Sequence, residues 1–110
     1  MSIRREIWNT FGIDRSKSSP YTASRGSRRT LAKLFAKLGY ERGAEIGTCR
    51  GDYAARLCAA NPRLQLMCVD PWEPYCESPS ANHQESCYDT AVNQLAKHPG
   101  ATIVRKTSFE

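Results

Sequence analysis

The stretch Glu45-Ile46-Gly47-Thr48-Cys49-Arg50-Gly51-Asp52, with Asp70 following 23 residues after Gly47, carries residue types suited to holding a small polar molecule. A ligand lying across strand ends needs close approach of the backbone, which gives Gly47 and Gly51 a reason to lack a Cβ. A helix starting directly after the turn would aim its free N–H groups and positive dipole end at the same place. Asp70 would end the neighbouring strand, where a carboxylate can accept hydrogen bonds from both hydroxyls of a ribose. Each piece alone is weak. Gly-x-x-x-Gly after a strand often marks only a tight turn, and an acid ending a strand is usually solvated. Their spacing within one strand–helix–strand unit is what points to a ligand.

The flanking elements are those such a turn requires. Leu31, Leu34, Phe35 and Leu38 fall at helical spacing and predict a helix over 28–38, capped by Ser27 and ended at Gly39. A short strand over 43–46 runs into the turn. A helix over 52–60 follows, with Asp52 as its N-cap and Asn61-Pro62 as its stop. Residues 64–69 read as an apolar strand buried on both faces of a parallel sheet. A Pro- and Ser-rich loop spans 71–84, and Tyr88, Ala91, Val92 and Leu95 place a helix over 85–97. Ala101-Thr102-Ile103-Val104 begins a third strand after the Pro99-Gly100 turn. Alternation of this kind predicts an α/β, Rossmann-like parallel sheet. Residues 1–27 read as a basic, poorly structured extension in which Ile3, Ile7, Trp8 and Phe11 make a short amphipathic turn or two.

Motif details narrow the ligand. The dinucleotide fingerprint G-x-G-x-x-G needs a glycine where Cys49 stands, and a P-loop lysine is missing after Gly51. Glu45-Ile46-Gly47-Thr48-x-x-Gly51-Asp52, followed by Val69-Asp70-Pro71-Trp72, resembles class I S-adenosylmethionine-dependent methyltransferases over residues 28–110. The resemblance implies that Glu45 lies near the cofactor's amino group. It implies that Gly47, Thr48, Gly51 and Asp52 line the methionine and ribose side, and that Asp70 binds the ribose hydroxyls. Pro71 and Trp72 would sit against the adenine, and Ser108 would approach its exocyclic amine. The cofactor would be S-adenosylmethionine and the partner a small-molecule methyl acceptor; no residue stands out as catalytic. The alternatives are a non-catalytic binding module of the same fold and an NAD(P)-binding Rossmann protein.

That family builds a seven-stranded sheet in the order 3-2-1-4-5-7-6, and this chain stops at the third strand. A fragment of the longer fold is therefore expected. Otherwise the edge of the first strand must be covered by the N-terminal segment, by a second chain or in a homo-oligomer, because an open parallel edge invites pairing.

The remaining sequence adds limits. At 110 residues there is room for one small domain. Residues 1–42 hold ten Lys and Arg against three acids, and residues 43–110 hold six against eight. The basic half reads as a solvated face, and its aromatics do not alternate with its bases as a nucleic-acid stacking surface would require. No apolar run is long enough to span a bilayer, and the first 20 residues lack a secretory apolar core. The five cysteines are thus expected to be reduced thiols in a cytoplasmic protein. Arg and Ser in the N-terminus have a faint transit-peptide character, against which Glu6 and Asp14 count. Cys76, His83 and Cys87, with Cys68 nearby, do not match zinc-ligand spacing, so no metal is expected. Cys49 lies at a helix start beside Arg50, an environment that lowers a thiol pKa, yet no partner base stands in the motif.

Overall fold

The computed structural model describes residues 2–74 and 80–109. Three parallel strands, β1 (Arg42–Ile46), β2 (Gln65–Val69) and β3 (Ala101–Val104), form one sheet in the order β1-β2-β3. Among the described residues four helices accompany them: α1 (Ile3–Phe11), α2 (Arg28–Lys37), α3 (Asp52–Ala60) and α4 (Ala81–Leu95). The chain is α/β with a Rossmann-like arrangement, as the alternation of elements predicts, and β1 lies at an edge, as the resemblance implies for a sheet of three strands.

The register explains which side chains meet. Ala44 pairs with Met67, which pairs with Thr102, while Glu45, Cys68 and Ile103 form the next row. Alternation along each strand then sends Leu66 and Cys68 to one face and Met67 to the other. The first face is closed by Ala32 of α2, by Ala54, Leu57 and Cys58 of α3, and by Leu95 of α4. A second cluster joins Trp72 to Cys87 and Ala91 of α4, with Ile103 beneath. Burial pushes the Cys68 thiol up to about 12, so it is an inert core sulfur.

The opposite face is open along most of β2 among the described residues, although Val69 at its carboxyl end is buried. Met67 is 51% exposed and Ile46 64%. The expectation that β2 is buried on both faces is therefore corrected. An apolar strand sequence cannot report that all three packed helices cross on the same side.

Helix ends account for the other differences. Gly51, not Asp52, occupies the N-cap of α3; its φ of 82° suits glycine, and no side chain caps this end. A Cβ on Gly51 would meet the Ala91 Cα at 3.3 Å, so this glycine also admits α4 against α3. Helix α4 starts at Ala81 rather than residue 85, because the Ser80 hydroxyl accepts from the His83 N–H at 3.2 Å. Its buried face runs Gln84, Cys87, Ala91, Leu95, and the predicted Val92 faces outward.

Within residues 1–27 there is a nine-residue helix, longer than the turn or two expected. Ser2 caps α1, Gly12 ends it at φ 60°, and the Ser24 and Arg25 N–H groups both donate to the Phe11 carbonyl. Gly26 packs directly on the Phe11 ring, and Glu6 pairs with Lys37 of α2. Helix α1 thus lies against α2, while every residue of β1 except Glu45 stays exposed. The N-terminal helix, one of the covers considered for the β1 edge, therefore packs on α2 and leaves the β1 side chains exposed.

One-sided packing has a measurable signature. Leu66→Ala is expected to cost about 2–5 kcal/mol in a urea melt, as for other buried leucines. Met67→Lys, one residue along the same strand, is expected to stay within about 0.5 kcal/mol of the parent. A loss of several kcal/mol at Met67 would show that the second face is covered in solution.

Candidate functional site

The carboxyl ends of β1 and β2 are joined by one side chain. Asp70 Oδ2 accepts the Cys49 N–H at 2.8 Å, and Oδ1 accepts the Trp72 N–H at 2.8 Å. Both donor residues have left-handed backbone, Cys49 at φ 55° and Trp72 at φ 47°. Such conformations cost non-glycine residues roughly 1–3 kcal/mol each. A hydrogen bond to an ionised group returns about 1.5–3 kcal/mol, so the carboxylate offsets both strains. The Trp72 indole Nε1–H closes the loop by donating to the Cys49 carbonyl at 2.7 Å.

Two clefts flank this turn at the carboxyl ends of the strands, where ligands of open α/β sheets bind. The first, about 470 Å³, is lined by Asp70, Pro71, Glu73, Gln84 and the Lys106–Phe109 segment. The second, about 400 Å³, is lined by Arg28, Glu45, Thr48, Arg50, Asp52 and Tyr53. Ile46, Gly47 and Cys49 belong to both. Each volume is within the range of small-molecule sites. A Cβ on Gly47, at φ 89°, would meet nothing within 4 Å, so the turn leaves open space where the clefts join.

The second cleft holds the most unusual polar groups. Glu45 Oε1 and Thr48 Oγ1 are both buried and lack a hydrogen-bond partner. Burial raises the Glu45 pKa above the usual glutamate range; the Thr48 hydroxyl and Arg28 pull it down, and Asp70 raises it further. The guanidinium of Arg28 lies over the Tyr53 ring at 5.1 Å, and the Tyr53 hydroxyl donates to the Arg28 carbonyl at 2.8 Å. Asp52 is held from behind, its Oδ1 accepting from Gln94 Nε2 at 2.6 Å.

Of the residues singled out in the sequence, Gly47, Asp70, Pro71 and Ser108 meet at the first cleft. Glu45, Thr48 and Asp52 meet at the second, with Gly47 shared. Gly51 and Trp72 line neither. Trp72 is 2% exposed, its ring packed edge-on against Tyr88 at 5.0 Å between centroids. The sequence reading missed Arg28 and Tyr53. Both belong to predicted helices, but only the packing of the start of α2 against the start of α3, through Arg28 and Tyr53, brings them into one cleft with Glu45.

The thiols require one correction. Partial burial, reinforced by the neighbouring Cys87 thiol, pushes the Cys49 pKa up, although the Arg50 N–H pulls it down. The helix start beside Arg50 had suggested the reverse. Cys87 Sγ lies 3.6 Å from His83 Nε2; Cys76 lies outside the described residues. Among those residues no three metal-ligating side chains converge, and no helix is long and apolar enough to cross a membrane.

Comparison with protein-family models, curated proteins and solved structures returns no match. Function must therefore be argued from the site itself.

A buried, poorly satisfied carboxylate has a pH signature. Folding holds the Glu45 proton more tightly than the unfolded chain does, so this residue lowers stability as pH rises through its raised pKa. Glu45→Gln is expected to stabilise the protein at pH 7–8. That gain should vanish below the ordinary glutamate pKa, where both states are protonated. Thermal melts of the two proteins across pH 3.5–8 check both the sign and the window.

Proposed function

We propose that this chain forms the donor-binding part of an S-adenosylmethionine-dependent methyltransferase. The observation that carries the reading is the pair of clefts meeting at Gly47, with opposite chemistry on the two sides. On one side, Glu45 Oε1 and Thr48 Oγ1 are acceptors without donors, suited to an ammonium group. On the other, Asp70 has spent one lone-pair site per oxygen on the backbone and keeps others for ribose hydroxyls. Pro71 and Ser108 line the same cleft and can meet a base ring and its exocyclic amine. S-adenosylmethionine carries all of these groups at its two ends. The methyl acceptor is a small molecule in this reading, and the free thiols support a reducing, cytoplasmic setting.

Donor binding rests on these residues; methyl transfer also needs an acceptor aligned with the sulfonium methyl, chiefly a matter of proximity and orientation. A binding module without turnover is the second form of the same reading. A nicotinamide dinucleotide fits the turn poorly. The Gly47 and Thr48 N–H groups donate to the Val69 carbonyl, that of Cys49 to Asp70, and that of Gly51 to the Thr48 carbonyl. The turn's own N–H groups are thus already used, and Asp52 places a carboxylate at the helix start, where it would repel a pyrophosphate.

Calorimetric titration decides between these ligands. S-adenosylmethionine and S-adenosylhomocysteine are expected to bind with Kd below about 1 mM, corresponding to roughly 4 kcal/mol, and NAD not to bind. Asp70→Asn should weaken both nucleosides at least about tenfold, since its loss removes a ribose acceptor and loosens the turn. Absence of heat with either adenosyl ligand at millimolar concentration would overturn the reading.

A further inference from the structure

The four described cysteines divide by what surrounds them. Cys58 and Cys68 belong to the core between the sheet and its helices. Cys49 and Cys87 are neighbours elsewhere, where the turn after β1 meets α4. Gly51 rests on Ala91, one helical turn beyond Cys87. The Trp72 ring packs with Cys87 and Ala91, while its Nε1–H holds the Cys49 carbonyl at 2.7 Å. The Cys49 N–H is in turn fixed on Asp70, so both thiols stand on held backbone. Their proximity registers in the Cys49 pKa, which burial and then the charge and hydrogen bond of Cys87 push up. Access separates the two: Cys49 is exposed, and Cys87 is only 2% exposed. Behind Cys87, His83 Nε2 lies 3.6 Å from its Sγ. The base that the turn itself lacks is thus supplied by α4.

We infer that Cys49 and Cys87 are a redox-active dithiol: Cys49 exchanges with a low-molecular-weight disulfide, and Cys87 resolves the mixed disulfide. In the first step the Cys49 thiolate attacks one sulfur of the incoming disulfide, and the other half leaves as a thiolate that solvent protonates. In the second, Cys87 gives its proton to His83 Nε2 and its sulfur attacks that of Cys49. The Cys49–Cys87 bond forms, and the second half of the reagent leaves as a thiolate that takes up a proton. The two protein thiols lose two electrons and two protons, and the reagent disulfide gains both. A raised pKa leaves Cys49 less thiolate but makes that thiolate the stronger nucleophile. Among the described cysteines only Cys49 is open to the reagent, and only Cys87 is placed to resolve it. In a reducing cell such pairs sense redox state and are not structural. The consequence falls on the clefts, because Cys49 borders both. A group held on its sulfur stands where a ligand would, and closure onto Cys87 removes that group and ties the turn to α4.

This pairing holds whatever the clefts bind, so it stands or falls apart from the adenosyl reading. Its test is glutathione disulfide added to the reduced full chain at about pH 8.5, followed by intact mass and peptide mapping. The parent is expected to lose two hydrogens and to give a Cys49–Cys87 cross-linked peptide, with no lasting glutathione adduct. Cys58 and Cys68 should stay reduced, which shows that the folded chain is what reacted. Cys87→Ala should instead hold one glutathione on Cys49. Cys49→Ser should leave Cys87 unreacted, and Cys76→Ser should close as the parent does. His83→Ala should accumulate the mixed disulfide and close at least about tenfold more slowly, as befits loss of a general base. Melting curves of the reduced variants establish that each is folded. A lasting adduct on Cys49 in the parent, a cross-link from either cysteine to Cys76, or reaction of Cys87 in Cys49→Ser overturns the dithiol. Closure of His83→Ala at the parent's rate overturns the part given to the histidine.

Discussion

The geometry of the site depends on the Asp70 carboxylate. It stands at the end of β2 and accepts one backbone N–H from each of two turns, at Cys49 and at Trp72. Both turns have left-handed backbone at a residue with a side chain, a conformation that local sterics disfavour. Two charge-assisted hydrogen bonds of roughly 1.5–3 kcal/mol each are enough to hold them. With the turns held, the mouth of the sheet is shaped: Gly47 is left at the junction of two clefts, and the Trp72 indole is turned into the core beside Cys87 and Ala91. One side chain thus connects strand pairing, core packing and cleft shape.

The same constraint explains how far the site could be read from the residues. Helical spacing in α2 and the Gly47–Gly51–Asp70 pattern made the parallel α/β arrangement and the position of the turn legible, because both follow from periodicity and from where strands end, while the strand order came from the family resemblance. The direction of Trp72 was not legible. Beside an Asp-Pro pair, a tryptophan reads equally well as an exposed platform or a buried anchor, and the sign of its φ is decided by Asp70's hydrogen bond. The two glycines show the same limit. Gly47 faces open space, whereas Gly51 faces Ala91 of α4, a neighbour 40 residues on in the chain. Arg28 was hidden for a third reason: it is one of many basic residues in the first 42, and only its place over the Tyr53 ring beside Glu45 distinguishes it.

One-sided packing places the site in a wider frame. Helices α2, α3 and α4 cover the Leu66–Cys68 face, and both clefts open at the strand ends above that covered layer. The exposed Ile46 and Met67 lie on the other face, although Ile46 also borders both clefts. Anything covering that face would therefore touch both clefts through Ile46. Its cover and its ligand would be coupled by contact, with no need for a longer path.

Glu45 and Thr48 bring stability and binding into direct opposition. A buried polar atom without a partner costs roughly 1–3 kcal/mol, and this cleft holds two in a domain whose net stability should be about 5–15 kcal/mol. An apolar pair at these positions would fold better, so the folded state alone gives no reason for them. On the proposed reading the missing donors come with the ligand. Saturation at about 100 times Kd adds roughly 2.7 kcal/mol, comparable to the penalty for one or two such atoms. The empty cleft is then the less stable form of the protein, and filling it restores what Glu45 and Thr48 cost.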